Sequence, residues 1–128
     1  MGIAKDIIAS NDDYQSVLTS HSTVFMLFVL PTCSPCVRAV ELFTPIADSY
    51  DPLIKCLVLD TAITPRLSQV ISTPTLVTHV AGKIAEVIRG FGPWETQEQT
   101  IREIFSRYAR QQAPGEPALP AAPQPPRQ

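Results

Sequence analysis

An unbroken apolar run, Val24-Phe25-Met26-Leu27-Phe28-Val29-Leu30, constrains the fold of this chain more than any other stretch. A strand with one wet face alternates apolar and polar side chains, and this one offers water nothing on either side. It is therefore expected to be a central strand covered on both faces, as in a layered α/β domain. Just beyond it, Pro31-Thr32 leads into Cys33-Ser34-Pro35-Cys36, and helix-like spacing begins near Pro35. A cysteine at a helix N-terminus meets unpaired N–H groups and the positive end of the helix dipole, which together stabilise a thiolate. Cys36 falls one turn further along the same face, within reach of a small disulfide.

The same Cys-x-x-Cys spacing also supplies half of a tetrahedral zinc site. Only Cys56, His21 and His79 remain as further ligands, and none forms a second paired motif. Two core cysteines, buried for packing alone, are the other alternative, although packing does not ask for Pro35 or for a strand-to-helix junction. Redox chemistry explains more of the pattern than either, and no metal is expected.

The remaining periodicity alternates. Ile3 to Ala9 is a short apolar run, and Asn11-Asp12-Asp13 caps a helix carrying Tyr14, Val17 and Leu18. Pro35 to Tyr50 has helical length, with Val37, Val40, Leu42, Phe43 and Ile46 as its expected buried stripe and Pro45 expected to kink or end it. Ile54 to Leu59 is the next strand, closed by Asp60, and Pro65 to Val70 is a candidate short helix. Thr75 to Val80 and Ile84 to Arg89 flank a hairpin turn at Ala81-Gly82-Lys83. Trp94 to Arg110 closes the fold as a helix with Ile101, Ile104, Phe105 and Tyr108 on one face. Parallel crossovers followed by a hairpin imply a mixed central sheet of about five strands with helices on both faces.

The last segment is of a different kind. Pro114, Pro117, Pro120, Pro123, Pro125 and Pro126 punctuate it, and Leu119 is its one large aliphatic side chain. Such a segment buries too little apolar surface to offset its ordering entropy. The expected organisation is a folded domain over 1–111 and a disordered Pro-rich tail over 112–128. Across 128 residues the net charge is -2, which lacks the basic excess of a nucleic-acid binder. No stretch reaches the ~20 apolar residues that span a bilayer, so no membrane role is expected. No secretory leader is expected at Met1 to Asp6, and a cytoplasmic setting is expected, in which thiols stay reduced or reactive. A monomer is expected.

Four features in order and spacing resemble the thioredoxin family: Cys33-Ser34-Pro35-Cys36 after the second strand, Asp60 ending the third, Thr73-Pro74-Thr75-Leu76 opening the fourth, and Gly90 after the fifth. The resemblance spans roughly residues 5 to 110 and implies a thioredoxin-like fold. It implies Cys33 as nucleophile, Cys36 as resolving thiol, and Pro74 as a cis-proline facing the disulfide. It also implies a substrate-docking surface at Ser34, Pro35, Thr73, Pro74 and Gly90. Disulfide-containing protein substrates follow, with a thioredoxin-reductase-type electron donor and no organic cofactor beyond the Cys33–Cys36 pair. With no histidine between the cysteines, a reductase is expected over a strong oxidant.

The departures matter as much. The family's buried Asp, six residues before the first cysteine, is Leu27 here. Its lysine partner, four residues before Asp60, is Cys56. The Trp that usually precedes the motif is Thr32, and Pro31 replaces a position often acidic. An acid–base pair has become Leu27 against Cys56, and a slower resolving step is expected. The competing reading is a non-catalytic interaction module on the same fold, tethered by the Pro-rich tail. Cys56 is expected to be buried and inert, His79 structural or partly exposed and too far along its strand to serve the motif, and His21 solvent-exposed. Trp94 is expected to anchor the last helix to the sheet.

Overall fold

The computed structural model describes residues 3–4, 11–51, 53–62 and 67–111. In chain order these form β1 (Ile3–Ala4), α1 (Asn11–Ser20), β2 (Thr23–Val29), α2 (Ser34–Ser49), β3 (Lys55–Asp60), β4 (Thr75–Val80) and β5 (Lys83–Arg89). A single 3-10 turn, Trp94–Thr96, then leads into α3 (Gln97–Gln111). Residues 5–9, the start of the candidate helix at Pro65-Arg66 and the Pro-rich segment 112–128 lie outside the described residues.

The sheet is five-stranded and mixed, in the order β1-β3-β2-β4-β5. β2 pairs parallel with β3 and antiparallel with β4, which puts the apolar run at the centre. Successive side chains of a strand face opposite ways. Phe25 and Leu27 accordingly join α2 and α3 in one core, with Phe43, Ile46, Ile101 and Phe105. Val24, Met26 and Phe28 enter the other, with Leu18 of α1, Leu57, Leu59 and Val77. The ring of Phe25 lies 4.7 Å from that of Phe105 and 5.1 Å from that of Tyr108, so β2 and α3 are pinned near the middle of the sheet.

Two expectations for α2 need correction. Pro45 does not end the helix, which runs on to Ser49. Pro45 and Glu41, the residue whose carbonyl loses its intrahelical donor, are both exposed, on the side of the helix that faces solvent. Phe43, Ile46 and Ala47, buried around the proline, hold the helix on the sheet. The buried stripe is Cys36, Ala39, Phe43, Ile46 and Ala47, while Val37 stands 56% exposed and Val40 and Leu42 are half-buried. The helix turns its alanines inward because small side chains allow the closest approach. Of the candidate helix near Val70, the described part is a turn closed by the Val70 N–H donating to the Leu67 carbonyl at 2.9 Å.

The β4–β5 hairpin turns on Ala81 (φ 54°) and Gly82 (φ 83°), both left-handed as a two-residue primed turn requires. The face of α3 is as the spacing predicts, with Ile101, Ile104, Phe105 and Tyr108 buried.

Candidate redox site

β2 ends at Val29, and the chain needs only four residues to turn back as α2. Cys33 occupies the N-cap position in extended geometry (φ -91°, ψ 108°), with Pro35 in the first turn where its missing N–H costs nothing. No side chain caps this end of the helix, so the positive end of its dipole lies at Cys33. Cys33 and Cys36 form a disulfide with their Cα atoms 5.3 Å apart. Their surroundings differ. Cys36 is 2% exposed, whereas Cys33 is half-buried at the rim. The outer sulfur alone is open to an incoming disulfide.

The second strand pair brings the opposite wall. The Thr73-Pro74 bond is cis, and Cys33 Sγ lies 3.6 Å from the Thr73 carbonyl oxygen. Pro74 is buried, so the edge this loop presents is the half-buried backbone of Thr73. The Gly90 N–H donates to the Pro74 carbonyl at 3.0 Å, and Gly90 takes a positive φ of 75°. Phe91, buried in the core behind it, fixes that loop. Ser34 and Pro35 are exposed beside the sulfurs. Ser34, Pro35, Thr73, Pro74 and Gly90 are thus carried to one end of the sheet with Cys33.

Beneath the sulfurs the protein is dry. Leu27 is fully buried, with Val58 and Leu76 as its cross-strand neighbours. Cys56 lies on the same face but opposite Phe25, further from the motif, so Leu27 and Cys56 are diagonal neighbours and not a facing pair. Burial pushes the Cys56 thiol far above its ordinary value, and the Asp51 carboxylate pushes it further. It stays protonated at neutral pH and inert. A cavity of about 190 Å³ opens beside Cys36, lined by Val29, Leu30, Pro31, Val37, Val40 and Asp60. Among the described residues no three His, Cys, Asp or Glu side chains gather as a metal site, and no helix is long and apolar enough to cross a membrane.

Trp94 and His21 lie where spacing alone did not place them, whereas His79 is structural and remote from the motif as expected. Trp94 is 62% exposed and does not anchor α3 to the sheet. Its ring instead stacks under the Arg38 guanidinium at 3.9 Å, and Arg38 Nη2 donates to the Trp94 carbonyl at 3.3 Å. That clasp joins α2, just past the cysteines, to the loop after Gly90. His21 is half-buried, with Nδ1 3.2 Å from the Val17 carbonyl, and not fully solvated. His79 is 1% exposed at the far end of β4 and serves structure.

A disulfide between an accessible and a buried cysteine at a helix N-terminus, faced by a cis-proline loop on a mixed sheet, defines a thiol-disulfide oxidoreductase. No established family profile matches the sequence. The chain is 33% identical over 103 residues to the M-type chloroplast thioredoxin of Chlamydomonas reinhardtii, covering 77% of this chain and 74% of that protein. It is 27% identical over 95 residues to a thioredoxin of Porphyra purpurea, covering 72% and 89%. In fold it is similar to Plasmodium falciparum thioredoxin, with a TM-score of 0.69 at 17% identity over 81% of this chain and 99% of that one. The chain belongs to the thioredoxin family.

Proposed function

We propose that this protein reduces disulfides in other proteins through Cys33 and Cys36. The single observation that carries the reading is the asymmetry of the pair, an accessible Cys33 at the head of α2 and a buried Cys36 one turn behind it. In the reduced protein the Cys33 thiolate attacks one sulfur of a substrate disulfide, forming a mixed disulfide and expelling the first substrate thiolate. Cys36, as thiolate, then attacks Cys33 Sγ. The Cys33–Cys36 bond forms, the bond from Cys33 to substrate breaks, and the second substrate thiolate leaves. Two electrons pass from the dithiol to the substrate, and no organic cofactor or metal takes part.

Burial of Cys36 supports its role as the second thiol, because an external disulfide cannot reach it first. Thr73 offers a backbone edge beside Cys33 along which an extended substrate segment can lie, the strand-addition mode of peptide recognition. Ser34, Pro35 and Gly90 border the same opening, with Pro74 behind it. The electron donor we assign by class is a thioredoxin-reductase-type enzyme, and the setting a reducing cytoplasm.

Turbidimetric reduction of insulin with a dithiol donor tests the assignment. Cys33→Ser is expected to abolish turnover, and Cys36→Ser to accumulate the mixed disulfide, visible by mass spectrometry. Equilibration against glutathione is expected to give a potential near ~-270 mV, as for reducing thioredoxins. A protein that never cycles, yet holds a partner equally well with both cysteines replaced, is an interaction module and the proposal fails.

A further inference from the structure

Cys36 must lose a proton before it can attack, and the sheet beneath it offers no base. Leu27 and Leu76 fill the strand positions there, and Cys56 is a protonated thiol further along β3. The cavity of about 190 Å³ beside Cys36 is walled by aliphatic side chains and reaches one carboxylate, Asp60, at the end of β3. Its volume admits several waters at about 30 Å³ each. Asp60 is half-buried, and its Oδ1 accepts the Ala62 N–H at 2.8 Å, which fixes the carboxylate plane. Among the described residues no other hydrogen bond engages that carboxylate.

We propose that Asp60 receives the Cys36 proton through water held in this cavity. The inference rests on the reading of Cys36 as the resolving thiol. The proton leaves Cys36 Sγ for a cavity water, which passes its own proton to Asp60. The thiolate then attacks Cys33 Sγ, and the substrate sulfur departs with the electron pair of the broken bond. Asp60 returns its proton to solvent at the cavity mouth. No oxidant or reductant enters beyond the mixed disulfide itself. Among the described residues that line the cavity there is no rival base: β2 supplies Val29, the following loop Leu30 and Pro31, and α2 Val37 and Val40. Arg38, the next charged side chain on α2, is turned to Trp94.

Asp60→Asn keeps an oxygen for the Ala62 N–H and removes only the basicity. Rapid mixing of the reduced protein with an aryl disulfide that releases coloured thionitrobenzoate resolves two bursts, the first from Cys33 attack and the second from Cys36. Thionitrobenzoate leaves without needing a proton, so the second burst reads Cys36 deprotonation. In Asp60→Asn the second rate relative to the first is expected to fall roughly 10-fold to 100-fold at neutral pH, with its pH profile moved to higher pH. Val40→Phe, which fills the cavity and leaves Asp60 in place, is expected to do the same. An unchanged ratio and pH profile in both single variants overturns the Asp60 route while leaving the reductase reading intact. Absence of the first burst in the unaltered protein overturns the reading itself.

Discussion

The two ends of β2 are built on opposite rules. At the cysteine end, Leu27 and Phe28 sit against Leu76, Val58, Leu59 and Thr75, whose buried hydroxyl donates locally to the Ser72 carbonyl at 2.8 Å, and among the described residues no ionisable side chain faces Leu27 across the sheet. At the other end, β2 pairs with Thr78 and His79, both buried, and each has its partners. Thr78 Oγ1 lies 2.8 Å from the Tyr108 hydroxyl, which donates to Glu86 at 2.6 Å and so accepts from Thr78. His79 Nδ1 is 3.2 Å from the Val24 carbonyl, which can only accept, so Nδ1 carries the proton and Nε2 accepts from the Tyr14 hydroxyl at 3.0 Å. Buried polarity is tolerated where every group is satisfied. The difference shows that the dry redox end follows from which side chains stand there, since the same sheet accommodates buried polar groups a few residues away.

The most direct way to break that contrast is to place a polar group at the dry end. Leu27→Asp buries a carboxyl with no donor in reach and deletes an apolar side chain that is fully buried. Urea denaturation at neutral pH is expected to show a loss of about 3–5 kcal/mol. A loss below about 1 kcal/mol would mean that water already reaches Leu27 and that this end is not dry.

Much of this layout is legible in the sequence, and the misses share a cause. The run from Val24 to Leu30 marks the central strand because seven consecutive apolar side chains leave neither face of a strand fit for water. The face of α3 is equally clear, for Ile101, Ile104, Phe105 and Tyr108 repeat at helical spacing against polar neighbours. In α2, apolar residues occur all round, so spacing cannot tell that Ala39 and Ala47 face the sheet and Val37 faces water. Pro45 does not end α2 because its cost depends on whether the orphaned carbonyl meets solvent, which is a tertiary fact. Cys33, Cys36 and Pro74 are identifiable as candidates from local motifs. The cavity joining Cys36 to Asp60 and the Arg38–Trp94 clasp join residues distant in sequence, and no local pattern encodes them.

At the polar end the next largest effect is expected from Tyr108→Phe. It strands the Thr78 hydroxyl, which is fully buried, and is expected to cost about 1–3 kcal/mol. Adding Thr78→Val removes the stranded group, so the double variant is expected to be less destabilised than the sum of the two single changes. The hydroxyl of Tyr108 is also pushed up to about 12, first by burial and then by the Glu86 carboxylate it donates to. Alkaline spectrophotometric titration is therefore expected to find Tyr108 ionising well after the ordinary range, with Tyr14 also raised by burial. The Arg107–Glu86 pair beside it, 3.2 Å apart but largely exposed, is expected to contribute little.

A pH series sharpens the contrast further. Burial holds His79 below its ordinary 6.5, opposed in part by its bond to the Val24 carbonyl. A histidine with a depressed folded-state value binds fewer protons folded than unfolded. Its contribution is fully present above pH 6.5 and is lost as pH falls from there toward the folded-state value. The expected slope is at most about 1.4 kcal/mol per pH unit. His79→Gln is expected to flatten that part of the stability profile relative to the unaltered protein. Leu27 and Leu76 contribute nothing that titrates there, so an equal flattening on substituting either would contradict the assignment of this acid sensitivity to the far end.

The smallest expected effect lies at the hairpin beyond that same end. Ala81 sits at φ 54° with a Cβ that the left-handed region disfavours, and its N–H donates to the Ser22 carbonyl at 2.9 Å. Ala81→Asn creates the Asn-Gly pair preferred by primed two-residue turns, and a gain of about 0.5–1 kcal/mol is expected in urea denaturation. Gly82→Ala isolates the backbone contribution, because no atom lies within 4 Å of the added Cβ while φ is 83°. It is expected to cost about 1 kcal/mol through conformation alone. Since the turn is at the opposite end of β4 from Thr75, neither change is expected to alter the reactivity of Cys33 toward a small disulfide. A change in that rate accompanying either variant would show that the two ends of the sheet are coupled, and that the polar end tunes the site as well as holding the fold.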